Sequence, residues 1–215
     1  GMPWTSAVIA TAAAPAILAG DWETAETELL EAVDKAVDCP TFEGLETCQL
    51  LYLRTLMGDP RAHELLDRYA AILPVRGRLN SLGSYHMLLF WVESAFLLGQ
   101  YERAAQQYES VVDLLGRDTV TCYVPRLIER IAGIAAMAGE QYDKAQAHFE
   151  ASLERANELA FVNELGDTRR WHAMMLLRRQ SPGDLDMAQG LLREAIAVYK
   201  QHGMPKHEVM AQALL

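Results

Sequence analysis

Several things are scarce in this chain, and each scarcity excludes something. There is no run of about 18 apolar residues, so no membrane-spanning helix is expected. Strictly alternating Val, Ile and Thr segments are missing, which argues against strands. Cysteine occurs three times, at Cys39, Cys48 and Cys122. The number is odd and no pair has zinc-ligand spacing, so reduced, buried thiols of a cytoplasmic protein are expected rather than a disulfide frame or a metal centre. Positive charge is the minority: 19 Lys and Arg stand against 29 Asp and Glu, a formal net charge of −10. Nucleic-acid phosphates need a clustered positive field, so this segment is not expected to bind them. Ala7–Ala19 is apolar and rich in small residues, but no basic leader precedes it, which argues against a signal peptide.

Motifs for chemistry are equally scarce. No Gly-x-x-x-x-Gly-Lys-Ser/Thr phosphate loop is present. No Gly-x-Ser-x-Gly elbow occurs; Gly77, Ser81 and Gly83 only imitate one. The histidines (His63, His86, His148, His172, His202, His207) form no His-Glu-x-x-His pair. The acidic pairs Glu26/Glu28 and Asp184/Asp186 sit at expected helix starts, where the helix dipole accounts for them. No catalytic residue, cofactor or metal ligand is therefore expected.

The chain does hold a recurring phrase: a Gly, an aromatic or Leu two or three residues on, then Ala three further. It reads Gly20-Asp21-Trp22-x-x-Ala25, Gly99-Gln100-Tyr101-x-x-Ala104, Gly139-Glu140-Gln141-Tyr142-x-x-Ala145 and Gly183-Asp184-Leu185-x-x-Ala188. A degenerate copy, Gly58-Asp59-Pro60, fills the gap. Between glycines 20, 58, 99, 139 and 183 the steps are 38, 41, 40 and 44 residues. Such a period marks a stack of supersecondary units, each burying its apolar face only against its neighbours. The predicted fold is all-α, with about five antiparallel helix pairs and a closing C-terminal helix. The cycles run over about 6–40, 41–74, 83–117, 121–160 and 164–204, with the end helix at 205–215. Pro40 should stop the second helix, Pro15 should kink or shorten the first, and the Pro- and Gly-rich stretch 74–84 reads as a hinge.

Within the phrase each position has an expected role. Gly ends helix A in a left-handed turn. The aromatic fills the wedge between the paired helices, so Tyr101→Ala should cost as much as a core truncation. The Ala lets the helices approach. A large residue four on (Leu29, Tyr108, Phe149, Leu192) closes the seam, and the third after that (Ala32, Val111, Ser152, Ala195) packs on the following unit.

These positions resemble the tetratricopeptide repeat, whose pattern places Gly-Asp-Tyr before helix B, Ala three after the Tyr, an aromatic four later and another Ala three beyond. Gly133, followed by Ala136, stands where the family has a small residue of helix A. The family's period is about 34 residues; the steps here are longer, and its terminating Pro is mostly missing. The resemblance implies a right-handed α-α superhelix. The C-terminal stretch, Gly183 to Ala188, Leu191 to Ala195, Tyr199, Gly203-Met204-Pro205 and Ala211-x-x-Leu214-Leu215, looks like the last repeat of helical arrays in bacterial signalling ATPases. These include adenylate or guanylate cyclases with an AAA-type ATPase and ATP-dependent LuxR-type transcription regulators. That likeness implies a bacterial signalling or transcription-control setting.

A repeat array binds partners on the inner faces of its A helices. Aligning each A helix on its Gly puts Tyr52, His86, Glu93, Arg130 and Arg170 at those positions, a set able to read a peptide or a small polar ligand. Arg169-Arg170 and Arg178-Arg179 form the densest basic run, suited to an acidic partner or to plain solvation. Three functional classes follow: a protein- or peptide-binding sensing module, a small-molecule effector domain and, a distant third, an enzyme. A deep enclosed pocket lined by His86, Tyr52 and Arg130 would favour the effector; a shallow groove with an exposed apolar strip would favour a protein partner. Trp4 and the apolar first helix could pair with another copy, since array ends need covering.

Overall fold

The expected helix of the first phrase forms where its signals lie. In a computed structural model that describes residues 4–36, 43–116 and 126–215, α2 spans Trp22–Asp34. Asp21 caps it by accepting the Thr24 N–H at 3.2 Å, which satisfies one of the unpaired donors of the first turn. Ala25, Leu29 and Ala32 then fall on one buried stripe. The pattern of exposure over residues 21–30 repeats residue for residue over 141–150, so these two copies of the phrase pack alike.

The remaining helices follow in pairs. Before α2 stands α1 (Trp4–Ala19), and after it come α3 (Leu45–Met57), α4 (Arg61–Tyr69, extended by a 3-10 turn at Ala70–Ile72), α5 (Leu82–Leu97), α6 (Tyr101–Gln106) and α7 (Tyr108–Leu115). The chain continues through α8 (Ile128–Ala138), α9 (Tyr142–Glu158), α10 (Val162–Arg179), α11 (Asp184–Gln201) and α12 (Pro205–Gln212). The described residues are all-helical, without strands. None of these helices is long and apolar enough to cross a membrane. Cys39, Cys122, Pro40 and the turn after Gly116 lie outside the described residues.

Burial divides the helices into two layers. Helices α3, α5, α8 and α10 are buried on nearly every side. Helices α2, α4, α9 and α11 bury a single stripe and leave the opposite face in water. Each inner helix packs on the next: α3 on α5, α5 on α8, α8 on α10. The second layer fills the outside, α9 lying against both α8 and α10. One apolar core runs unbroken from Cys48 in α3 to Ala211 in α12. The first and last helices also meet: α1 touches α12, and the Lys206 ammonium lies 5.2 Å from the centre of the Trp22 ring.

The phrase works as expected in its second half, except at Tyr108, which is only half-buried, and differently in its first. Ala25, Ala104, Ala145 and Ala188 are fully buried, as are Leu29, Phe149 and Leu192 one turn on and Ala32, Val111, Ser152 and Ala195 beyond them. The aromatic is not a buried wedge. Tyr101 is 37 % exposed and Leu185 59 %, because the first turn of helix B lies at the rim of the pair, where only one side of a ring meets protein. The left-handed turn also moves. Gly20, Gly58 and Gly99 have positive φ, but in the fourth copy Glu140, not Gly139, takes it, and α10 ends at Gln180. The extra residue between Gly139 and Tyr142 shifts the reversal by one position. Gly133 meets its expectation: a Cβ there would stand 2.6 Å from the Phe149 ring.

Three boundaries also differ. The helix expected over Tyr101–Leu115 is interrupted at Gln107, where the Gln107 N–H reaches back only three residues, to the Ala104 carbonyl at 3.1 Å. Pro15 does not end α1, which runs on to Ala19. Helix α5 starts at Leu82, inside the stretch read as loop, because Ser81 accepts the Ser84 N–H at 3.0 Å and caps it.

Candidate functional site

Helices buried on nearly every side leave few places for charge, and the buried charges of α5, α8 and α10 are concentrated. Glu93 on α5, Arg130 on α8, and Glu164, Asp167 and Arg170 on α10 are all buried. Arg126, two residues before α8, joins them, 7 % exposed. Three guanidinium groups therefore stand against three carboxylates in the middle of the fold.

Arg130 is the hub. Its Nε and Nη2 donate to Glu164 Oε2 and Oε1 at 2.9 and 2.8 Å, a two-pronged pair. Its Nη1 donates to Glu93 Oε1 at 3.1 Å. Glu93 also accepts the Trp171 indole N–H at 3.1 Å and pairs with Arg126. The Arg126 guanidinium lies between two rings, 4.2 Å from the centre of Tyr52 and 4.0 Å from that of Phe90, which hold its plane. Glu164 Oε2 accepts the Leu127 N–H at 3.1 Å, so the carboxylate that holds Arg130 also anchors the start of α8. On the far side Asp167 Oδ1 accepts the Tyr199 hydroxyl at 2.7 Å and stands 3.8 Å from Arg170 Nη2.

This network forms one wall of a cleft. Tyr52, Arg126, Arg130, Glu164, Asp167 and His207 line the polar side, and Asn163 stands at its edge. Ala14, Ile17 and Leu18 of α1 line the apolar side. The cleft holds about 100 Å³ of water-accessible space, and it lies where α1 and α12 meet. His207, 1 % exposed, has no hydrogen-bond partner for Nδ1 among the described residues.

Burial sets the protonation states. It would raise the Asp167 carboxyl, but the fields of His207, Arg130 and Arg170 with the Tyr199 hydroxyl hold it down at about 2. Burial pushes His207 below the ordinary histidine range, helped by Arg170, Arg126 and Arg130 and opposed by Asp167. Burial lowers His86 and His172 as well. A lowered imidazole means that the unfolded chain takes up its proton first, so stability rises with pH through that range. The melting temperature should be level above neutrality and fall as pH drops below about 6.5. His207→Leu should flatten part of that slope. Thermal melts followed by circular dichroism between pH 5 and 8 check this; level melting across the range would mean the imidazoles are not desolvated.

The inner-face residues named from sequence divide unevenly. Tyr52 and Arg130 line the cleft, Glu93 lies behind them, and Arg170 supports Asp167. His86 does not join: it is buried, with Nδ1 3.0 Å from the Leu82 carbonyl one turn back, and lies outside the cleft lining. Sequence reasoning missed Arg126, Glu164, Asp167 and His207. Arg126 stands four before Arg130, and Asp167 three before Arg170, so a second turn of the same inner face would have found them. The basic run on α10 is not one surface. Arg169 pairs with Glu194 at 2.7 Å, Arg170 is buried, Arg178 lies over Tyr101, and Arg179 grips Asp184 at 2.7 Å.

Elsewhere the described residues hold no group of His, Cys, Asp and Glu that could bind a metal ion. Cys48 is buried and not in a disulfide, with its thiol pushed well up by burial. Comparison with known proteins finds no matching family model, no matching curated protein and no matching solved structure.

Proposed function

We propose that this chain is a non-enzymatic helical-repeat sensing module whose inner cleft takes a small polar molecule. One observation carries the reading: a cleft lies between the first and last helices, with an ionic wall balanced among the described residues and a buried imidazole nitrogen that has no hydrogen-bond partner among them. Cavities of this kind, apolar on one side with a few convergent polar groups, are the usual form of a ligand site. Both Glu164 oxygens are engaged by Arg130 and Leu127, and a carboxylate so occupied is a poor general base.

The recurring phrase, the two-layer packing and the buried Ala and seam residues support a tetratricopeptide-type array: a right-handed stack of about five helix pairs closed by α12. The C-terminal likeness to bacterial signalling ATPases supports a setting in signalling or transcription control in the cytoplasm. There the ligand state would be passed to a protein partner. A shallow depression formed by Phe96, Leu97, Tyr101, Met174, Leu177 and Leu214, with Arg178 beside them, favours protein docking as a second reading.

Thermal shift with a broad metabolite panel tests the proposal. A ligand that binds only the folded state stabilises it by mass action, about 2.7 kcal/mol at a hundredfold excess over Kd. Some compounds should raise the melting temperature of the natural chain by several degrees, and none should do so for Leu18→Arg, whose guanidinium would fill the mouth of the cleft. No shift with any compound, or equal shifts in both proteins, would refute it.

A further inference from the structure

We propose that the ligand of the cleft is a zwitterion with an aliphatic side group, an α-amino acid of the leucine kind; this rests on the sensing function inferred above. Three features of the cleft converge on that class.

The first is charge balance. Among the described residues Arg126, Arg130 and Arg170 face Glu93, Glu164 and Asp167, three against three, all buried. A ligand with net charge would enter a site with no surplus opposite charge to meet it, and its desolvation would go uncompensated. The ligand is therefore neutral overall.

The second is the unspent hydrogen-bonding capacity, which has two signs. Asp167 accepts the Tyr199 hydroxyl on Oδ1, while its Oδ2 takes no hydrogen bond among the described residues. An ionised oxygen in that position suits an ammonium group. Arg130 uses three N–H groups in its ion pairs, and a guanidinium carries five. Its remaining donors, with His207 Nδ1, suit a carboxylate. A neutral polyol would satisfy the hydrogen bonds but would leave the separated charges unused.

The third is the opposite wall. Ala14, Ile17 and Leu18 present only hydrocarbon to the cleft, and Ile17 is held in place by the α1–α2 core. A branched aliphatic side chain would remove that surface from water. Because this wall belongs to α1, and His207 belongs to α12, such a ligand would touch both ends of the array at once.

Calorimetry on the full chain separates the contributions. L-leucine should bind. Isocaproate, which lacks the ammonium, and isoamylamine, which lacks the carboxylate, should each bind about tenfold or more weakly, since a hydrogen bond to a charged group is of that order, and glycine, which lacks the side chain, should bind about tenfold or more weakly for want of apolar burial. Asp167→Asn should weaken leucine about tenfold and bind isocaproate more tightly than the natural chain does, since the anion then meets a surplus positive charge. The analogue series on the natural chain stands even if that variant fails to fold. Isocaproate or glucose binding as tightly as leucine, or leucine failing to bind, overturns the proposal. If leucine fails while another metabolite gives a shift that Leu18→Arg abolishes, the ligand class falls and the sensing function stands. If both experiments are blank, both fall.

Discussion

Replacing Arg130 with Met should lower the unfolding free energy by about 3–5 kcal/mol, because it leaves the buried Glu164 carboxylate without a cation and takes one partner from Glu93. Glu164 would keep only the Leu127 N–H, and Glu93 would keep Arg126 and the Trp171 indole. The hydrophobic replacement fills much of the volume, so the loss measures uncompensated charge more than a cavity. Arg130→Lys should recover little of it. A single ammonium cannot reach both Glu164 oxygens and Glu93 in the fixed fork that guanidinium provides. Denaturant titration gives the number, and the size of the effect decides between two views of the network. A loss under about 1 kcal/mol would mean that water reaches the ion pairs and the site behaves as a surface.

The second large effect is expected at Phe149. Its ring is fully buried, lies against Gly133 of α8, and stacks on His172 of α10 with centroids 5.7 Å apart and planes 22° from parallel. One side chain thus joins three successive helices. Phe149→Ala should cost about 3–5 kcal/mol, the range for emptying a packed aromatic site. Tyr101→Ala, expected from the repeat pattern to be comparable, should cost about 1 kcal/mol, because a side chain 37 % exposed buries less surface and leaves a dent rather than a cavity. Chemical unfolding of the two variants side by side tests the contrast. Equal losses would mean that the aromatic at the head of helix B is a wedge after all.

The two variants also show where sequence was legible. The Ala and seam positions of the phrase follow a helical period, and burial at such positions is dictated by the helix itself: Leu29 must share a face with Ala25 and Ala32. The head of the helix has no such constraint, since its first turn projects past the partner helix. In the same way Tyr52, Glu93, Arg130 and Arg170 could be read as inner positions by counting back from each Gly. His86 satisfied a similar count and turned instead to its own backbone at Leu82. Asp167 and Arg126 stand one turn before Arg170 and Arg130, but Glu164 and His207 carried no signal, because contacts across helices leave no fixed spacing in the chain.

What the sequence determined by itself is the all-helical class and the stripe by which α2, α9 and α11 pack. Those are local properties, set by residues three and four apart. What only the tertiary structure decided is the centre. Glu93 meets Arg130 across 37 residues and Trp171 across 78, and α1 meets α12 from opposite ends of the chain. Charges brought together over such distances are chosen by how whole helices stack, and the cleft exists because that stacking brings the first helix against the last.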